Sequence, residues 1–321
     1  MPFSLQSLLS GFVLPDLLAA LLCMVLIALM IRAGVMDHPV HRSSHTRPIP
    51  KGGGIGIIGA FLLCLGPTLY LSHQPVLTGP VLGLISGVTL LAVVSWLDDL
   101  YSSPARYKLA AQFGAAALVA FGNGAAVPVS VLFILGAVFI TNALNFIDGI
   151  NGLAAGTMAL TSLLLAAAGI QPCLFVLFAV CLLAFLPWNF PKARIFMGDV
   201  GSQSGALIVA WGAMQPHRYS AMLTLALLSG VVWDVLFTLA RRARAGDHLA
   251  QAHRGHLYQL AIRSGMPMPL VTVFYWGFVV WGAVACYAKQ PWETGLLVLL
   301  PQLCWTGYIC TRAKARVQDR W

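Results

Sequence analysis

Long apolar runs alternate with short polar loops along this chain, and the runs set its architecture. A membrane-crossing helix needs about 20 mostly apolar residues. Eleven runs approach that length: 13–31, 55–73, 79–97, 109–122, 127–144, 152–170, 173–187, 204–216, 219–239, 270–288 and 294–310. The pattern predicts an all-α, polytopic integral membrane protein of ten or eleven transmembrane helices, forming a single transmembrane domain over residues 1–321. The fourth, seventh and eighth runs are short, so one of them is expected to be tilted, broken or re-entrant, its irregular backbone covered by protein. No Lys or Arg precedes Arg32. The basic start of a signal peptide is therefore missing, and the first run is expected to stay as a membrane anchor.

Composition narrows the class. The 321 residues are 59% hydrophobic and 9% charged, against about 25% charged in soluble domains. Too few charges remain to build a water-facing surface, which excludes soluble, disordered and disulfide-scaffold classes. The seven cysteines lie in or beside apolar runs without CxxC spacing and read as packing residues. The net charge of +9 does not imply nucleic acid, because the basic residues sit in short loops between apolar runs, where they report topology and anionic-lipid contact. Loops 32–54, 98–108, 145–151, 188–203 and 240–269 with the tail 311–321 carry 17 of the 19 Lys and Arg; only Arg218 and Lys289 lie opposite. By the positive-inside rule these loops are cytoplasmic and the N-terminus is periplasmic. Eight of the ten acidic residues and six of the eight histidines fall on the same side. Topology does not require that, whereas an active site on the cytoplasmic face does.

Five segments carry candidate chemistry. Residues 37–54, DHPVHRSSHTRPIPKGGG, place Arg42, His45 and Lys51 before three glycines and a helix start, a composition suited to an anion, although an ordinary basic loop with close-packing glycines reads similarly. Asp98 and Asp99 close the third run. Adjacent carboxylates at a membrane boundary repel one another and oppose the helix dipole, so a divalent cation or a neighbour such as Lys108 is expected to offset them. Asn142, Asn145 and Asp148 recur every third residue near one helix face and offer donors and acceptors to a sugar or base, while Asn151 also suits a turn. Asp199, in FPKARIFMGDVGSQSG with Arg194, is either a magnesium ligand or a helix cap. His253, Arg254 and His256 suit phosphate contact better than a metal half-site, for want of companion ligands. Asp234 inside the ninth run is a functional suspect because charge at depth is costly, or a partner for Arg241 or another helix.

In this order the five loops resemble the polyprenyl-phosphate N-acetylhexosamine-1-phosphate transferase family (glycosyltransferase family 4). The similarity runs through Asp37–Gly54, Asp98–Asp99 with Ser103, Pro104, Lys108 and Gln112, Asn142–Ala154, Phe196–Ser202 and His253–Gln259. It covers about residues 37–260, and the last motif is most similar to the branch initiating O-antigen and related lipid-linked glycans. Asn151 stands where many relatives carry a second Asp. HRGH differs from the consecutive histidines of the phospho-MurNAc-pentapeptide translocase branch, the runner-up reading.

The resemblance implies a multi-pass enzyme of the bacterial inner membrane, with room for a homodimer and no nucleic-acid partner. It would transfer N-acetylhexosamine-1-phosphate from a UDP-N-acetylhexosamine such as UDP-GlcNAc to undecaprenyl phosphate, releasing UMP. It implies Asp98, Asp99 and Asp199 as catalytic groups. Asp199 would hold Mg2+ (Mn2+ being the alternative ion), with Asp99 as a second candidate contact to the metal. Asn142, Asn145, Asp148 and Asn151 would hold the nucleotide-sugar, and Arg194, His253, Arg254 and His256 its phosphates. Arg42, His45, Lys51 and Lys108 would contact anions at the site's edge. The resemblance implies that Asp98 is a base or an orienting group for the lipid phosphate; a phosphomonoester is mostly dianionic at pH 7, so no general base is obligatory and orientation is the preferred reading. The reading from a different class, a secondary transporter for an anionic solute, expects charges near the midplane and an inverted repeat. Neither stands out in the sequence.

Overall fold

In the computed structural model, which describes residues 13–37, 39, 47–101, 103–248, 251, 253–288, 290–318 and 321, each of the eleven apolar runs is built around a helix. The order is α1 (Leu14–Ala33), β1 (Met36–Asp37), β2 (Ile49–Pro50), α2 (Gly53–Leu71), α3 (Gly79–Tyr101), α4 (Ala105–Gly122), α5 (Val127–Ile147), α6 (Leu153–Ala167) and α7 (Pro172–Asn189). It continues with α8 (Gly198–Trp211), a 3-10 turn (Gly212–Met214), α9 (Ser220–Leu227), α10 (Ser229–Arg244), α11 (Leu257–Arg263), α12 (Met268–Ala285) and α13 (Pro291–Arg316). The expected all-α fold holds apart from the two-residue antiparallel ladder β1–β2, which pairs Met36 with Pro50 and Asp37 with Ile49.

The expectation of ten or eleven spans exceeds what helix length and hydropathy support. Among the described residues seven helices (α1, α2, α3, α5, α7, α12 and α13) are long and apolar enough to cross a membrane. An eighth is added if α9 and α10, bent by 66° at their junction, form one broken span. The shortfall has physical causes. α4 opens with Arg106 and Lys108, which lower its hydropathy. α6 has 15 residues and α8 has 14, roughly 21 Å of α8 against a hydrocarbon core of about 30 Å. Several expected loops are also partly helical. Asp98 and Asp99 lie in the last turn of α3, Asn145 in that of α5, and Asp199 in the first turn of α8.

α8 is the axis of the bundle, packed against α2, α3, α5 and α6, with every residue from Val200 to Trp211 buried. Small residues let the helices approach. On α3, Gly79, Gly83 and Gly87 form a stripe one turn apart whose missing side chains admit the α4 backbone; a Cβ on Gly83 would lie 2.6 Å from the Leu118 carbonyl oxygen. The resulting α3–α4 hairpin brings Lys108 beside Asp98. Gly53 and Gly54 serve α8 similarly. Their amides donate to the carbonyls of Phe196 and Met197 at 2.9 and 2.8 Å, so the start of α2 is hydrogen-bonded to the segment that presents Asp199.

Gly54→Ala tests this frame. Its Cβ would lie 2.1 Å from the Gly201 amide nitrogen and 2.6 Å from the Gly201 Cα, rigid backbone that cannot turn aside. A loss of about 1–3 kcal/mol or more is expected, read as a lowered unfolding temperature in detergent. Gly136→Ala, with nothing within 4 Å of the new Cβ, is the control and should be neutral.

Candidate active site

Four helix ends and one loop converge on a cluster of charge. Asp98 and Asp99 come from α3, Lys108 from α4, Asn145 from α5 and Asp199 from α8, while Lys51 follows β2. Lys108 Nζ bridges two carboxylates, 2.5 Å from Asp98 Oδ2 and 2.6 Å from Asp199 Oδ2. Lys51 Nζ donates to the backbone oxygen of Asp99 at 2.9 Å and to its Oδ1 at 3.0 Å. Asp98 Oδ1 accepts the Ser103 amide at 2.7 Å, so both its oxygens are engaged. Asp199 Oδ1 accepts from Asn145 at 3.0 Å and Oδ2 from Gln203 at 3.0 Å. Asn145 also donates to Ser202 Oγ at 2.9 Å. Asp199 in the first turn of α8 is further favoured by the positive end of that helix.

The charges do not balance within the cluster. Asp148, the residue capping α5, is half-buried near Asp199 and Asp99. Burial first, then those two carboxylates, holds its carboxyl well above the usual range. Asp99 Oδ2 is buried without a hydrogen-bond partner, beside Gly198, whose φ is +71° and whose Cβ, if present, would lie 3.2 Å away. An orphaned anionic oxygen beside excess negative charge fits a hard divalent cation. Among the described residues no three His, Cys, Asp or Glu side chains form a closed metal cage. A magnesium ion takes one or two carboxylates plus substrate phosphate oxygens. Asp199 and Asp99 are the residues that would hold it.

Behind Asp199 runs a chain of amides. Gln112 donates to Gln203 at 3.1 Å, and Gln112 and Asn142 pair with each other, the Asn142 amide donating at 2.7 Å. Asn142 ends the chain on the Val138 carbonyl at 2.8 Å. Asn142 thus reaches Asp199 through other side chains rather than directly. Sequence reading missed Gln203. Its signal was the four-residue spacing from Asp199, one turn along the same helix face.

A second group borders the cluster. Tyr258 of α11 donates to the Phe146 carbonyl at 2.9 Å, one residue past Asn145. His256 is buried with Nδ1 3.1 Å from Asp234 Oδ1, and His253 stacks on it with ring centroids 4.9 Å apart. Asp234 therefore pairs with the histidine loop; Arg241, the other partner considered for it, instead donates to the Gly255 carbonyl at 2.9 Å. Arg254 is half-buried, its carbonyl receiving Arg263 at 2.9 Å. Asn151 donates to the Pro191 carbonyl at 3.0 Å. Arg194 is exposed on the α7–α8 connection. Asn189, not singled out in the sequence, ties this region together, accepting the Gly152 amide at 2.6 Å and donating to the Ile195 carbonyl at 3.0 Å. Arg42 and His45 lie outside the described residues.

Burial, then the neighbouring His256, Arg242 and Arg241, pushes the His253 imidazole down to about 4. In the unfolded chain the group titrates near 6.5. Between those values the unfolded chain binds a proton that the fold resists, so stability rises with pH there. This penalty is absent above pH 6.5 and grows as the pH falls towards 4. His253→Gln is expected to flatten that part of the pH–stability curve, measured by thermal unfolding in detergent. Identical slopes for both proteins would exclude the assignment.

Comparison with known proteins agrees with this geometry. Residues 81–217 match the family model for glycosyl transferase family 4. The chain is 29% identical to the decaprenyl-phosphate N-acetylglucosaminephosphotransferase of Mycobacterium tuberculosis (strain ATCC 25618 / H37Rv), over 84% of this chain and 80% of that protein. It is 26% identical to the probable undecaprenyl-phosphate N-acetylglucosaminyl 1-phosphate transferase of Bacillus subtilis (strain 168), over 84% and 82%. With the undecaprenyl-phosphate alpha-N-acetylglucosaminyl 1-phosphate transferase of Escherichia coli O157:H7 the identity is 24%, over 88% and 85%. The matched segment contains Asp98, Asp99, Lys108, Asn145 and Asp199, and over more than four fifths of its length the chain is similar to polyprenyl-phosphate N-acetylglucosamine-1-phosphate transferases.

Proposed function

We propose that this protein transfers N-acetylhexosamine-1-phosphate from a UDP-N-acetylhexosamine, UDP-GlcNAc first among them, to undecaprenyl phosphate with release of UMP, an initiating membrane step of cell-envelope glycan synthesis. The observation that carries the reading is the bridge of Lys108 between Asp98 and Asp199 beside the orphaned oxygen of Asp99. In the proposed reaction an oxygen of the lipid phosphate forms a bond to the sugar-bearing phosphorus of the donor. The bond from that phosphorus to the bridging oxygen breaks, and UMP leaves with the electron pair. Two anions must meet, so the protein's contribution is neutralisation and alignment.

Each residue has a part in this account. Lys108 and Lys51 offer positive charge to incoming phosphates. Asp98, with both oxygens engaged, orients Lys108 and the edge of the site rather than taking a proton. Asp199 and Asp99 would hold Mg2+, or Mn2+ in its place, and a bound ion there would neutralise charge on the diphosphate. Asn145 keeps Asp199 in register, and the 148–152 turn with the 253–258 segment forms the donor side. The loop charges support a bacterial inner-membrane enzyme whose N-terminus is periplasmic and whose site faces the cytoplasm. On that reading all eleven apolar runs are membrane-embedded, the short α6 and α8 being enclosed by longer helices.

Purified protein in detergent should release UMP only when undecaprenyl phosphate, a UDP-N-acetylhexosamine and Mg2+ are all present, and chelation should abolish release. Asp199→Asn is expected to lower turnover by about 10²–10³-fold. Near-normal magnesium-dependent turnover by that variant would overturn the metal assignment. Release of UMP without lipid phosphate would overturn the acceptor.

A further inference from the structure

Asp234 lies on α10, past the bend from α9, and only 1% of its surface is exposed. Its two carboxylate oxygens collect five partners. Oδ1 accepts the Leu257 amide at 2.8 Å and Thr238 Oγ1 at 3.2 Å, and lies 3.1 Å from His256 Nδ1. Oδ2 accepts the Tyr258 amide at 3.1 Å and the Tyr275 hydroxyl at 2.5 Å. One charge thus occupies the first two amides of α11, the ring at its N-cap and a hydroxyl of α12. With those amides taken, phosphate contact from this segment is left to side chains such as His253 and Arg254.

The same two helices grip the neighbouring turn. On α12, Thr272 donates to the Asn151 carbonyl at 3.0 Å and Trp276 to the Gly152 carbonyl at 3.2 Å. Tyr275 sits between them in sequence and reaches Asp234. From α11, Tyr258 donates to the Phe146 carbonyl, and its hydroxyl fills the space at Gly149, where a Cβ would lie 2.2 Å away. The 148–152 turn and the 253–258 segment are therefore fastened to one another through α12 and Asp234, although about 100 residues separate them in the chain.

We infer that Asp234 is a positioning residue for the transfer reaction: it fixes the distance between the two segments that form the donor side of the site, without touching substrate. This rests on the transferase reading above. Carboxylate is needed rather than amide, because four donors and a histidine converge on it and an Asn would turn its NH2 towards some of them.

The test compares wild type with Asp234→Asn, which keeps the volume, and Tyr275→Phe, which removes one donor and keeps the ring. In UMP-release assays Asp234→Asn is expected to lower kcat about 10–100-fold, in the range seen when an outer partner of a functional residue is lost. It should also raise KM for the UDP-sugar and leave KM for undecaprenyl phosphate unchanged. Tyr275→Phe should show the same split at smaller amplitude. A purely structural role would instead lower the folded fraction and leave both constants of the folded enzyme alone. Amide hydrogen exchange provides a readout independent of activity: 253–260 should lose protection in Asp234→Asn while 84–97 on α3 does not. If wild type releases no UMP, the transferase reading fails by itself, and the exchange result still decides whether Asp234 fastens the segment. Wild-type kinetic constants in Asp234→Asn, or unchanged exchange at 253–260, would overturn the inference.

Discussion

Like charges do not gather at the end of an apolar bundle unless something compensates them, and that constraint organises this protein. Asp98, Asp99, Asp148 and Asp199 crowd one end of the helices, and at Asp148 burial, then the charges of Asp199 and Asp99, makes ionisation costly. Lys108 answers two of them at once and Lys51 a third. The compensation is incomplete, and the incompleteness is what makes the place a site. A cluster neutralised entirely by its own side chains would have nothing to offer a metal ion or a diphosphate.

Holding that arrangement depends on backbone proximity rather than on long side chains. The glycine stripe of α3 sets the α3–α4 distance and thereby the reach of Lys108. The start of α2, hydrogen-bonded to the Phe196 and Met197 carbonyls, sets where α8 begins and thereby where Asp199 points. Charged groups come from helix termini, whose positions are fixed by packing along their whole length, so their alignment is inherited from the apolar core. The donor side follows a different rule: it is built from turns, and turns need staples such as Asn189, Tyr258 and Asp234.

Much of this was legible in the chain. Each of the eleven apolar runs holds a helix, although α11 lies in what reads as a loop, and the motif residues Asp98, Asp99, Lys108, Asn145 and Asp199 meet in space as their shared sidedness suggested. What hydropathy could not read was which runs cross a membrane alone. A 14-residue helix surrounded by others needs no lipid-length surface, so length stops reporting topology for α8. Nor does linear order show that His256 is turned inward onto Asp234, since that contact joins residues 22 apart, one on α10 and the other at the N-cap of α11. Gln203 escaped notice because an amide among small residues looks like any polar position until its carboxylate partner is placed beside it.

The amide chain behind Asp199 has a consequence of its own. Gln203, Gln112 and Asn142 carry polarity from the site into the bundle, ending on the Val138 carbonyl. Further along the same helices from the site, Ala115, Ala116 and Val119 of α4, Phe133 of α5 and Leu207 of α8 are buried and apolar. Amides order hydrogen bonds but do not exchange protons readily at neutral pH, unlike the carboxylate and imidazole ladders of proton pumps. The amide chain is thus an insulator: it braces Asp199 at one end of the bundle without wiring that group to the other. A catalyst that must keep several charges at the edge of an ion-tight barrier can do so here without short-circuiting it.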